Sequence, residues 1–208
     1  MKRPIYLIAL IALILIAVVV YQLYYIYTKS SPTPMAAIGE VRPDLGPIIH
    51  EVETDQGKII FFVTGPSDQA AIQAEYVKKT LFGWEWGFGG GHTVPDKIIE
   101  YNDLSAWSHQ YFHSTSGTPF ESPFPMLFGI LNDETIDGVQ IKSKTTGDVF
   151  DTTVITPDPY SKRLWYRLLD DEQGEQFTIT AYTKDTIYST REIDEQIPSS
   201  ADAGTSER

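Results

Sequence analysis

Phe177-Thr178-Ile179-Thr180-Ala181-Tyr182 alternates larger apolar and polar side chains without a break. Successive side chains of an extended chain point to opposite faces, so Phe177, Ile179 and Ala181 share one face of a strand. Working outward, Leu164, Tyr166 and Leu168 alternate with Trp165, Arg167 and Leu169, and the acidic run Asp170 to Gly174 reads as the turn between these two strands. On the other side, Thr183-Lys184-Asp185 turns the chain into a further strand over Thr186 to Glu192. Val139 and Ile141 alternate with Gln140 and Lys142, while Ile59-Ile60-Phe61-Phe62-Val63 is short and apolar enough for a buried strand. Pro119, Pro123 and Pro125 break an edge and lead into Phe124 to Leu131, again a buried strand. Turn chemistry recurring at intervals of about 8–15 residues predicts a mainly β fold, a single antiparallel β-sandwich or barrel-like domain.

One stretch admits two readings. Ser67 to Lys79 fits a short helix, with Ser67 as N-cap and Ala70, Ala71, Ala74 and Val77 along it. It also fits a strand with Ile72, Ala74 and Tyr76 on one face. The direct run into the aromatic residues after Leu81 favours strand from Ala74 onward.

The amino-terminal end is different in kind. Ile5 to Tyr27 carries no charge, and Gln22 is its only strongly polar residue. As a helix it is about 34 Å long, enough to cross a hydrocarbon core of about 30 Å. Tyr6 at one end and Tyr21, Tyr24, Tyr25 and Tyr27 at the other suit the two water interfaces. Lys2 and Arg3 precede the span and only Lys29 follows closely, so the positive-inside rule places residues 1–4 in the cytoplasm and the rest outside. A cleaved signal peptide is the alternative. Its apolar region is typically shorter, and the nearest small-residue site, Ala36-Ala37, lies well beyond the apolar run.

Residues 28–47, with Ser, Thr and several prolines, read as a stalk or linker, because Pro and Ser disfavour both helix and central strand. Residues 48–195 then form the extracytoplasmic β domain, and 196–208, small and polar, a disordered tail. Beyond residue 29 the chain carries 13 basic against 28 acidic residues. Such a surface argues against nucleic acid, whose binding is mostly phosphate neutralised by Lys and Arg. The chain has no cysteine, which excludes disulfides, a thiol nucleophile, thiolate metal sites and lipoprotein acylation.

Three segments carry a family resemblance. They are Tyr76-Val77-Lys78-Lys79-Thr80-Leu81-Phe82-Gly83-Trp84-Glu85-Trp86 with Gly89-Gly90-Gly91-His92; Phe124-Pro125-Met126-Leu127-Phe128-Gly129-Ile130; and Arg163-Leu164-Trp165-Tyr166 with Thr178-Ile179-Thr180-Ala181-Tyr182. Together they resemble a loose group of uncharacterised, membrane-anchored or secreted proteins of Gram-positive, Bacillus-like bacteria. The resemblance spans roughly residues 50–195. It implies a small β-rich domain at the bacterial cell surface and no particular activity.

The candidate ligand-binding residues are Trp84, Trp86, Phe88 and His92. Alternation places the three rings on one face of a strand with Glu85 opposite, as a platform for a sugar ring or a peptide, and Gly89–Gly91 would form an adaptable loop. The competing reading makes the same rings part of the core. No Lys-Ser/Thr follows the glycines, so they do not form a phosphate loop.

His109 and His113, with His92 and His50, are the only material for a metal site. Four positions apart on a strand they lie about 13 Å apart, too far to chelate one ion, so no metal or other cofactor is expected. Ser114, Thr115, Ser116, Thr118 and Ser122 near His113 read as a polar loop, since Gly-x-Ser-x-Gly is absent. Asn132-Asp133-Glu134 with Asp137, and Asp170-Asp171-Glu172 with Glu175, lack the spacing of a calcium loop and read as solvated turns. With no catalytic set assembled, the sequence predicts a binding, sensing or interaction module facing an envelope protein or glycan. The alternative is a cell-envelope hydrolase using histidines and carboxylates.

Overall fold

The structure, a computed structural model, describes residues 3–65, 70–93, 103–156 and 162–194. Ser67 as a helix cap and the tail 196–208 therefore lie outside the described residues. The fold is mainly β and antiparallel, with one long apolar helix at its start. Among the described residues the strands make three four-stranded sheets, and no sheet closes into a barrel. They fall into two compact units, one of Met1–Thr64 and Gln73–Gly90, the other of Gly65–Ile72 and Gly91–Arg208.

The first unit begins with α1 (Arg3–Lys29), a helix long and apolar enough to span a membrane. Pro4 falls in its first turn, where the missing N–H costs no hydrogen bond. Its large apolar side chains from Tyr6 to Tyr27, apart from half-buried Ile26, are exposed along the helix. Next comes α2 (Pro34–Gly39), which the sequence reading did not anticipate. The residues taken to oppose helix instead begin one. Thr33 is the N-cap, its hydroxyl accepting the N–H of Ala36 at 3.1 Å, and Pro34 occupies the first turn with its φ already suited. Burial completes it: Ala37 and Ile38 are enclosed with Ile60, Phe62 and Val77.

The sheet of this unit is a meander of β1 (Ile48–Thr54), β2 (Gly57–Thr64), β3 (Ala71–Thr80) and β4 (Gly83–Thr93). The ambiguous stretch is thus strand, and it begins at Ala71. Ile72, Ala74 and Tyr76 are buried on one face as the strand reading required, and Glu75 and Val77 are buried too. The glycines Gly89–Gly91 do not form a loop; they continue β4. A Cβ on Gly89 would lie 2.5 Å from Cδ of Glu75 and 2.7 Å from the Ala74 carbonyl oxygen, so the glycine lets two strands close over a buried side chain.

The second unit holds α3 (Asp103–Ala106) and two sheets. One has the order β5-β6-β10-β9, from β5 (Gln110–Phe112), β6 (Met126–Leu131), β10 (Arg163–Leu168) and β9 (Thr153–Ile155). The other runs β12-β11-β7-β8, from β12 (Ile187–Asp194), β11 (Gln176–Tyr182), β7 (Gly138–Ser143) and β8 (Val149–Asp151). Both sheets contribute to one core: Leu127, Leu131 and Trp165 from the first, Ile141, Phe177 and Ile179 from the second. Phe177, Ile179 and Ala181 point inward while Thr178, Thr180 and Tyr182 remain half-exposed, the alternation read from the sequence. The acidic turn before β11 is a single 3-10 turn, Asp171–Gln173, closed by Gly174 at φ 72°.

Candidate functional site

Trp84 and Trp86 are neither free nor fully buried. Both pack on the cluster of Ala37, Ile38, Ile60, Phe62 and Val77, so each indole is a rim of that core. The backbone of Trp84 exchanges two hydrogen bonds with Ser31, at 2.7 and 2.8 Å. Trp86 donates its indole N–H to Oε2 of Glu75 at 2.6 Å. The other oxygen of that carboxylate accepts from Nε of Arg42 at 2.7 Å, and Arg42 also reaches the carbonyl of Gly89. Phe88, further along β4, is half-buried.

Beside Trp84 lies an open surface depression lined by Glu53, Asp55, Lys58, Lys78 and Lys79. The ammonium of Lys79 sits 6.0 Å from the centre of the Trp84 ring. Lys58 is held by Glu53 and Glu51 at 2.7 and 2.9 Å, and those two bonds raise its pKa. An indole edge flanked by charges of both signs can take a polar ligand with one flat apolar face.

His92 belongs to a different cluster. Its Nδ1 lies 3.1 Å from Oε1 of Gln110, an acceptor, so the ring proton sits on Nδ1. Nε2 then accepts the hydroxyl of Ser108 at 2.8 Å. A serine hydroxyl donating to an imidazole oriented by a third group is the geometry of an activated nucleophile. Here that hydroxyl is nearly buried, and its oxygen accepts the N–H of Ile130 at 3.0 Å. The carbonyl of Ser108 accepts the indole N–H of Trp165 at 3.0 Å, in space that Gly129 leaves open. Between them the hydroxyl and carbonyl of Ser108 tie His92, β6 and β10 together within the second unit.

His109 and His113 flank β5 and take separate partners. Nδ1 of His109 accepts from Nη1 of Arg191 at 3.4 Å, and the same guanidinium lies 3.9 Å over the ring of Trp107 and donates to its carbonyl. Burial lowers the His109 pKa to about 4, with Arg191 and His92 adding to the effect. Burial also lowers that of His92. His113 faces Glu175 at 3.4 Å and meets Tyr111 edge-on. Among the described residues no group of three or more His, Asp or Glu side chains is placed to hold a metal ion.

The polar loop is internally bonded: the hydroxyls of Thr115 and Ser122 lie 2.6 Å apart, and Thr118 donates to the Thr115 carbonyl. Asp133 closes its own turn. Burial raises its pKa, but bonds from Thr135 and Tyr188, with Arg163 nearby, outweigh that and leave it lowered. Sequence reasoning missed Glu75, Arg42, Ser108 and Arg191. A glutamate between Ala74 and Tyr76, in the apolar middle of its strand, was the one available signal; nothing local marked the other three. Comparisons with protein-family models, curated proteins and solved structures found no match to this chain.

Proposed function

We propose that this is a single-pass membrane protein, its first residues cytoplasmic, whose β body acts outside the membrane as a binding, sensing or interaction module. The observation that carries the reading is α1 itself. Its apolar side chains from Tyr6 to Tyr25 are uncovered, a surface that needs lipid, and Lys2 and Arg3 precede it. The depression beside Trp84 supports a binding role, with an envelope protein or a glycan as the partner whose chemistry suits an indole and mixed charges. Serine-hydrolase chemistry is the second reading, favoured by the His92–Ser108 pair and opposed by the burial and occupied lone pair of Ser108.

The test has two parts. Alkaline phosphatase fused after residue 208 should be active, and a green fluorescent protein fusion dark; the reverse pattern overturns the topology. A photo-crosslinker in place of Lys79 should capture an envelope component in intact cells, and capture should fall with Trp84→Ala. Equal capture by both proteins would refute a role for the depression.

A further inference from the structure

We infer that the β3–β4 hairpin is a second membrane contact, in which Leu81 and Phe82 enter the bilayer interface beside the end of α1. The inference rests on the membrane-anchored reading of α1 and extends it to the body of the protein.

The hairpin breaks an ordinary rule of turn chemistry. Two-residue connections between antiparallel strands favour Asn, Gly and Asp, because the turn needs unusual backbone angles and faces water. Here the tip between β3 and β4 is Leu81-Phe82, with Leu81 75% and Phe82 43% exposed. Leu81 breaks that rule while staying largely exposed, which marks a place where something outside the fold decides the residue. A tip of two large apolar side chains is too small for a protein interface, and it suits a lipid surface.

Its position identifies that surface. Phe82 meets the ring of Tyr27 edge-on at 5.7 Å, and Tyr27 is the last of the tyrosines at the end of the apolar span. The hydroxyls of Ser30 and Thr80 are 2.6 Å apart, and Ser30 also caps the carbonyl of Ile26 at 2.8 Å. With the Ser31–Trp84 bridge, these contacts hold the hairpin against the helix terminus without a free linker. Whatever level Tyr27 takes in the bilayer, Phe82 takes too.

The charges agree. Lys78 and Lys79 are exposed immediately before the tip, and Lys29 is exposed at the end of α1. Asp55, in the turn beside Lys79, and Glu85 oppose them. Three lysines gathered at this end of a strongly acidic body are placed for anionic headgroups.

The absence of cysteine allows single labels to be placed at will. Leu81→Cys, Phe82→Cys, Leu15→Cys and Ile48→Cys are each labelled with an environment-sensitive fluorophore in the full chain. Each is then reconstituted into phosphatidylcholine–phosphatidylglycerol vesicles. Ile48 begins β1, at the end of the sheet away from the tip, about 20 Å along the strand. Labels at 81 and 82 should emit to the blue and be quenched by lipids doxylated near the headgroup. The label at 15 should be quenched by deep doxyl groups, and that at 48 should stay water-like. Deep quenching at 15 with water-like emission at both 81 and 82 overturns the hairpin contact and leaves the anchor standing. Water-like emission at 15 overturns both.

Discussion

Trp86 and Arg42 grip opposite oxygens of one fully buried carboxylate, that of Glu75, at 2.6 and 2.7 Å. Arg42 lies after α2 and Trp86 on β4, so this carboxylate fastens the chain that follows the long apolar helix to the sheet. Glu75 is fully buried while the Arg42 side chain is 37% exposed, so removing Arg42 leaves a buried charge uncompensated at a cost below that of a fully buried pair, about 3–5 kcal/mol. Arg42→Ala should therefore lower the melting temperature of the full chain in detergent more than Glu75→Gln does, since Gln keeps the shape without the charge. Circular dichroism of the β signal reads both. Equal melting of Arg42→Ala and the parent chain would show that the pair holds nothing together.

Gly89 offers a steric test of the same junction. The missing Cβ is what allows β4 to pass over Glu75, so Gly89→Ala should destabilise by about 1–3 kcal/mol, the usual cost of overpacking. Gly138, in β7, has nothing within 4 Å of its Cβ direction. Gly138→Ala should stay within about 0.5 kcal/mol of the parent. Denaturant titrations of the two variants should separate them clearly, and a neutral Gly89→Ala would remove the close-approach account.

These two sites show what was legible in the sequence and what was not. Period-two alternation is a local property, and it located β7 and β11 because their faces differ in burial, whereas in β10 the adjacent Leu164 and Trp165 are both buried. The apolar span was legible for the same reason, needing only length and the absence of charge. The helix α2 was not, because Pro34 opposes helix everywhere except the first turn, and only Ile60, Phe62 and Val77 on distant strands make burying Ala37 and Ile38 favourable. Trp84 and Trp86 stood out in the sequence, yet Glu75, the partner of Trp86, becomes visible only when Arg42 is brought 33 positions along the chain to meet it. Gly89–Gly91 misled because glycine signals both loops and close strand approach, and a third element decides between them.

Protonation should weaken the second unit in a defined window. His109 titrates near 6.5 when unfolded and about 4 when folded, and that of His92 is lowered in the same direction. Between those values the unfolded chain binds more protons, so stability rises with pH and is lost as pH falls from about 6.5 toward 4. The full shift at His109 corresponds to about 3 kcal/mol, which its partial exposure reduces to about 1–2 kcal/mol. Chemical denaturation across this range should show the slope, and His109→Asn, which cannot gain a proton, should flatten it. A pH-independent midpoint above 4 would contradict the buried neutral imidazole.

Ser108 separates structural from catalytic use of the histidines. Its hydroxyl serves both Nε2 of His92 and the N–H of Ile130. In Ser108→Ala both lose that partner inside the fold, at about 1–3 kcal/mol for a buried polar group left unsatisfied. Ser108→Cys keeps a weak donor and should recover part of the loss. A nucleophile would show the opposite balance, with little change in stability and complete loss of chemistry. Because the oxygen is nearly buried and already accepts a backbone N–H, a fluorophosphonate probe should leave the parent chain unlabelled at Ser108 while Ser108→Ala melts earlier. Covalent labelling of Ser108, abolished by His92→Ala, would instead make this cluster an active site.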